Sequence, residues 1–173
     1  MIGSLMQDLN GNMFDVGTRR ALEFILRPIV DRYSSQPLKT ATLAIHTAGA
    51  SPLAMTTAAY YATVKGKLVT IAASVDMPSL TGAAAIVSPN ITNVYLYFVD
   101  TAGTVTMTAG TPAATLAGVI FPTFPEGNAL VGFILVTMAA AATFTPGTTN
   151  LDAANTTVVY FSPIGPFDPT VLI

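Results

Sequence analysis

The sequence predicts a mainly β protein: a β-sandwich, jelly-roll-like, or a barrel of about eight short strands, preceded by an N-terminal arm and one amphipathic helix. Three observations predict it. Turn signals recur along the chain at roughly the 8–12-residue spacing of all-β folds. The apolar period changes from about 3.6 to about 2 near residue 40. No alternation of strand and helix patterns follows, which counts against an α/β fold. The 173 residues suit one domain with a substantial core. They divide into an arm and docking helix (1–40), a body (41–162) and an extended Pro-rich tail (163–173).

Residues 1–13 have no clear period and read as an arm with a turn at Asn10-Gly11-Asn12. A helix follows, capped by Asp15 or Thr18, with Leu22, Ile25, Leu26, Ile29 and Tyr33 along one face. Glu23 and Arg27 stand at the favourable i, i+4 spacing, and Pro28 kinks or splits the helix. The helix is either a lid on the body's core or a docking element for a neighbour. Ser34–Lys39 reads as a connector around Pro37.

The body begins with Ala41–Thr47, where Leu43 and Ile45 share a face. Ala58–Val64 and Lys67–Ser74 form a hairpin around Lys65-Gly66. Met77–Pro89 is a loop. Asn93–Val99 is the strongest strand, apolar on both faces and so expected inside a two-layer structure. Asp100–Gly103 turns it into Thr104–Thr108. Leu116–Phe121, Leu130–Met138 and Thr156–Phe161 complete the strands, with Ile134/Val136 and Phe133/Leu135 on opposite faces of the central one.

Composition narrows the function. Charged residues are 9% of the chain and hydrophobic residues 51%, against an ordinary charged fraction of about 25%. Nine of the sixteen charges fall in residues 1–40, and the other 133 residues carry Lys65, Lys67, Asp76, Asp100, Glu126, Asp152 and Asp168. A body this poor in charge suggests a surface covered by copies of itself or by partners. A net charge of −2 gives no footprint for nucleic acid. The chain has no cysteine, which excludes disulfides and thiol catalysis. MIGSLMQDLNGNMF lacks the basic and apolar regions of a secretory signal. Ala129–Phe144 is shorter than the ~20 residues of a spanning helix and is bounded by Pro125 and Pro146, so no membrane partner is expected.

Chemistry has few candidates. His46 reads as a solvent-facing or hydrogen-bonded structural residue, with no evident nucleophile and acid beside it. Only convergence of two or more of His46, Asp76, Asp100 and Asp152 in a pocket would favour an enzyme. No clustered His, Asp or Glu points to a metal, no glycine-rich loop to a phosphate, and no cofactor is expected. Tyr60, Tyr61, Tyr95 and Tyr97 are the residues that would stack on a sugar, with Tyr95 and Tyr97 sharing a face.

The block Pro125–Phe161 carries a family likeness. PEGNALVGFILV and ATFTPGTTNLDAANTTVVYF resemble a C-terminal module of structural proteins of tailed bacteriophages. The matching residues are Gly132-Phe133-Ile134, Phe144-Thr145-Pro146-Gly147-Thr148-Thr149 and Leu151-Asp152, over about a quarter of the chain. The resemblance implies a virion component: a capsid decoration or cement protein, or a part of a head or tail fibre. The expected partners are further copies of the chain, as a trimer, and the major capsid protein or other virion proteins. The expected assembly residues are Phe14, Leu22, Ile25, Leu26, Ile29, Tyr33, Phe133, Phe144, Phe167 and Leu172. The alternative is a fibre or tail-tip adhesin that binds host-surface carbohydrate.

Overall fold

Turn chemistry sets the hairpins from which the body is built. The computed structural model describes residues 24, 26–27, 29–30, 33–46, 51–83, 87–139 and 141–167. Its nine strands among these residues are β1 (Gln36–Lys39), β2 (Leu43–Ile45), β3 (Ala54–Thr56), β4 (Tyr60–Val64), β5 (Lys67–Ile71), β6 (Thr92–Val99), β7 (Val105–Ala109), β8 (Ala129–Met138) and β9 (Thr156–Phe161). Lys65 and Gly66 both have positive φ, 50° and 76°. That is the requirement of a two-residue hairpin turn whose twist matches its strands, and it joins β4 to β5. The β6–β7 turn is held by Asp100, whose Oδ1 accepts from Ala102 N–H at 2.8 Å and Thr104 N–H at 2.9 Å.

The strands form three antiparallel sheets, ordered β1-β4-β5, β2-β3 and β7-β6-β8-β9. None of them closes into a barrel among the described residues, so the barrel alternative is set aside. Two further expectations are corrected. The connector Ser34–Lys39 contains a strand: β1 pairs with β4, and Pro37 is tolerated because β1 lies at a sheet edge, where one side needs no ladder donors. Leu116–Phe121 is not a strand; Leu116–Gly118 forms a 3-10 turn and Ile120 makes an isolated bridge to Thr111. Short apolar runs do not separate these states by pattern alone.

β6 is buried along its whole length, in keeping with its two apolar faces. One face, with Tyr95, Tyr97 and Val99, joins a core shared with Tyr60, Ala62 and Val64 of β4 and Val69 and Ile71 of β5. The opposite face, with Val94, Leu96 and Phe98, joins a second core with Phe133 and Leu135. β8 serves both cores through a register irregularity: Tyr97 pairs with Gly132 but Phe98 with Leu130. The extra residue resets the alternation. Val131 and Ile134, three residues apart, therefore face the same core, while Leu130, Phe133 and Leu135 face the other.

The second core is an aromatic cluster. Phe133 stacks on Phe161 with ring centroids 4.7 Å apart and meets Phe121 edge-on at 5.6 Å. Phe124 packs edge-on against Phe98 at 5.2 Å. The tail brings in Phe167, 5.2 Å from Phe133, while Gly165 N–H donates to Pro37 O at 3.0 Å and fastens the tail against β1. Each such side chain contributes about 1.5–3 kcal/mol by burial, and well-placed ring pairs roughly 0.5–1.5 kcal/mol more.

Candidate assembly surface

Among the described residues, those before β1 carry the largest apolar exposure. Backbone at Phe24, Leu26, Arg27, Ile29, Val30, Tyr33 and Ser34 is helical, although no continuous helix of the expected length is seen among the described residues. Leu26, Ile29, Val30 and Tyr33 stand at i, i+3, i+4 and i+7, the spacing of a single helix face. They are 49%, 47%, 62% and 64% exposed, and Phe24 is 83% exposed. A lid on the body's core would bury this face, so the lid reading does not hold for these residues.

Polar contacts fix where the stretch leaves the body. Gly66 N–H donates to Ser34 O at 3.0 Å and Lys65 N–H to Ser35 Oγ at 3.0 Å, which ties the exit to the β4–β5 turn. Arg27 reaches the corner before β8, with Nε 2.7 Å and Nη2 2.6 Å from Glu126 Oε1. Both side chains are well exposed, so this pair orients the stretch rather than holding it, at about 0–1 kcal/mol. Beside this exit lies the outer face of the β1-β4-β5 sheet, where Lys39 sits 5.4 Å over the Tyr61 ring and Leu38 and Leu68 are exposed.

The expected assembly residues separate into three groups. Leu26, Ile29 and Tyr33 are exposed on the helical stretch. Phe14, Leu22, Ile25 and Leu172 lie outside the described residues. Phe133 and Phe144 are a correction: both are fully buried and cannot meet a second molecule in this fold. Phe133 is enclosed by Phe121, Phe161 and Phe167, and Phe144 packs beside Tyr95 where its backbone bridges to Val87. Phe167 is also spent largely within its own chain, half-buried against Phe121, Phe124 and Phe133. Sequence reading found the apolar residues but had no signal for which ones the chain itself would cover. Val30 and Phe24 were missed, and the helical periodicity of Val30 was the signal available for it.

The remaining chemical candidates are placed as follows. His46 and Asp76 do converge, with Nδ1 and Oδ1 2.5 Å apart and both side chains half-exposed. Two of the four residues thus meet as a carboxylate-oriented imidazole, at a half-exposed surface position rather than an enclosed one, while Asp100 binds its own turn in a different hairpin. No group of three or more His, Asp or Glu able to hold a metal occurs among the described residues. Tyr95 and Tyr97 are fully buried, so this pair cannot stack on a sugar. Burial pushes the Tyr95 phenol up to about 12 against the pull of a hydrogen bond with Asn93. It raises Tyr97 too, aided by neighbouring Tyr160 and Tyr95. The longest apolar run is the central strand β8, and no described helix is long and apolar enough to cross a membrane.

Compared with protein-family models, curated proteins and solved structures, the chain matches none. The likeness of Pro125–Phe161 to the phage module therefore has those residues alone behind it.

Proposed function

We propose that this chain is a non-enzymatic virion structural protein of a tailed bacteriophage, a capsid decoration or cement protein that assembles with copies of itself and docks on the major capsid protein. The observation that carries the reading is the exposed apolar set Leu26, Ile29, Val30 and Tyr33 beside a body poor in charge. Each of these side chains gains about 1.5–3 kcal/mol when water is removed from it, which favours a covered state over a solvated one. We read Leu26, Ile29, Val30 and Tyr33 as one face of an amphipathic helix, and the body as a β-sandwich whose main sheet is covered on both faces. On this reading the charge-poor body spreads over the lattice while the exposed apolar residues grip it.

Immunogold labelling of particles purified from the source culture tests the reading. Label on the particle surface is expected, and its loss when Leu26 and Ile29 are both changed to Glu. A chain found wholly in the particle-free fraction would overturn it.

A further inference from the structure

We propose that the outer edge of β9 pairs with β9 of a second copy of this chain, antiparallel across a two-fold axis, so that two four-stranded sheets become one of eight. This deepens the reading of the chain as self-assembling, on a surface other than the helical face. A strand edge presents a row of main-chain donors and acceptors, and what it recognises is another strand. Proteins that leave an edge open guard it with charge, proline, a bulge or a covering segment.

The two larger sheets have four edge strands among the described residues, and they are guarded unequally. β1 carries Pro37, Lys39 and a register irregularity between them, and the tail lies against it through Gly165. β5 opens on Lys67. β9, Thr-Thr-Val-Val-Tyr-Phe, has no charge, proline or glycine, and pairs with β8 in unbroken register. β7 is also neutral, with Val105 and Met107 half-buried against the core, as Val158 and Tyr160 of β9 are. Among the two neutral edges β9 alone exposes a large apolar side chain, Val159 at 45%.

Self-pairing explains the composition. A two-fold contact sets a strand against its own copy, so a charge near the axis meets its like, and a neutral strand avoids this. The charge-free stretch extends beyond β9, from Ala153 to Phe167. Residues opposite each other in an antiparallel pair share a face, so the axis passes through a residue rather than between two. With Val158 on the axis, Thr157 faces the second copy's Val159, which covers that exposed valine. Two-fold contacts are also the commonest among soluble homo-oligomers.

Light-scattering masses of the full chain and of single-edge variants test the pairing. Wild type is expected to contain a two-fold unit that Thr157→Lys with Val159→Lys reduces to half its mass. Both positions are exposed in the single chain, so the far-UV circular dichroism should not change. Thr106→Lys on β7 should leave the mass alone. The cysteine-free background supplies a second readout: Val158→Cys should oxidise to a covalent dimer and Thr106→Cys should not. Retention of the wild-type mass by the β9 lysine variant would overturn the proposal, as would a trimer that Thr106→Lys dissociates, since a trimer joins unlike edges. If Leu26→Glu with Ile29→Glu dissociates the assembly and the β9 lysines do not, the β9 contact is wrong while self-assembly stands. A wild-type chain that stays monomeric overturns both.

Discussion

Two tyrosine hydroxyls in the shared core have opposite circumstances. Tyr60 donates its hydroxyl to Leu130 O at 2.9 Å, whereas the buried hydroxyl of Tyr97 has no partner. Tyr60→Phe should therefore cost about 1 kcal/mol, and Tyr97→Phe should be neutral or stabilising by a similar amount. Chemical denaturation of both variants checks this, and a large loss on Tyr97→Phe would show a partner for that hydroxyl. The same burial makes the fold sensitive to alkali. It raises the phenols of Tyr60 and Tyr97 and pushes Tyr95 and Tyr160 up to about 12, the last assisted by Asp152. A phenol with a raised folded value keeps its proton where the unfolded chain loses it. Its contribution is thus intact below a pH of about 10 and disappears as pH rises through the folded values. The melting temperature should be flat from about pH 7 to 9 and fall from about pH 10 to 12 as tyrosinate absorbance grows. A flat profile to about pH 12 would contradict the buried cluster.

At the scale of elements, the register irregularity in β8 decides how one strand feeds two cores. Gly132 sits where it occurs, and a Cβ there would lie 2.5 Å from Phe161 O and 2.6 Å from Leu43 Cδ1. Gly132→Ala should cost about 1–3 kcal/mol through displacement of β9 or β2. A denaturant midpoint equal to wild type would show that these strands give way freely. How legible each element was follows from how local its causes are. The Lys65-Gly66 and Asp100–Gly103 turns were readable because their residues meet the backbone demands themselves. β9 was readable from its β-branched run, and it lies at Thr156–Phe161 as expected. β1 was hidden because proline argues against a strand until its edge position is known. The His46–Asp76 pair joins residues thirty apart in sequence, and the aromatic cluster gathers phenylalanines from Phe98 to Phe167. Such contacts leave no periodic trace. The burial of Phe133 and Phe144 was unreadable for the same reason, since apolar character alone does not say whether the chain or a neighbour does the covering.

For the whole molecule, an uneven charge distribution meets an uneven distribution of apolar exposure. The body needs few charges because its apolar side chains are mostly absorbed by two cores. Among the described residues, Phe24, Leu26, Ile29, Val30 and Tyr33 are the largest exposed apolar set, next to the β4–β5 turn to which Ser34 and Ser35 are tied and with Arg27 paired to Glu126. A free monomer of this composition would show that set to water and have little charge to keep copies apart. The most direct test is the native mass of the full chain by size-exclusion chromatography with light scattering, alongside Leu26→Glu with Ile29→Glu. The account predicts a defined oligomer for wild type and a folded, lower-mass species, or loss of particle binding, for the variant. A wild-type chain that remains a stable 17.9 kDa monomer and binds no particle would contradict it.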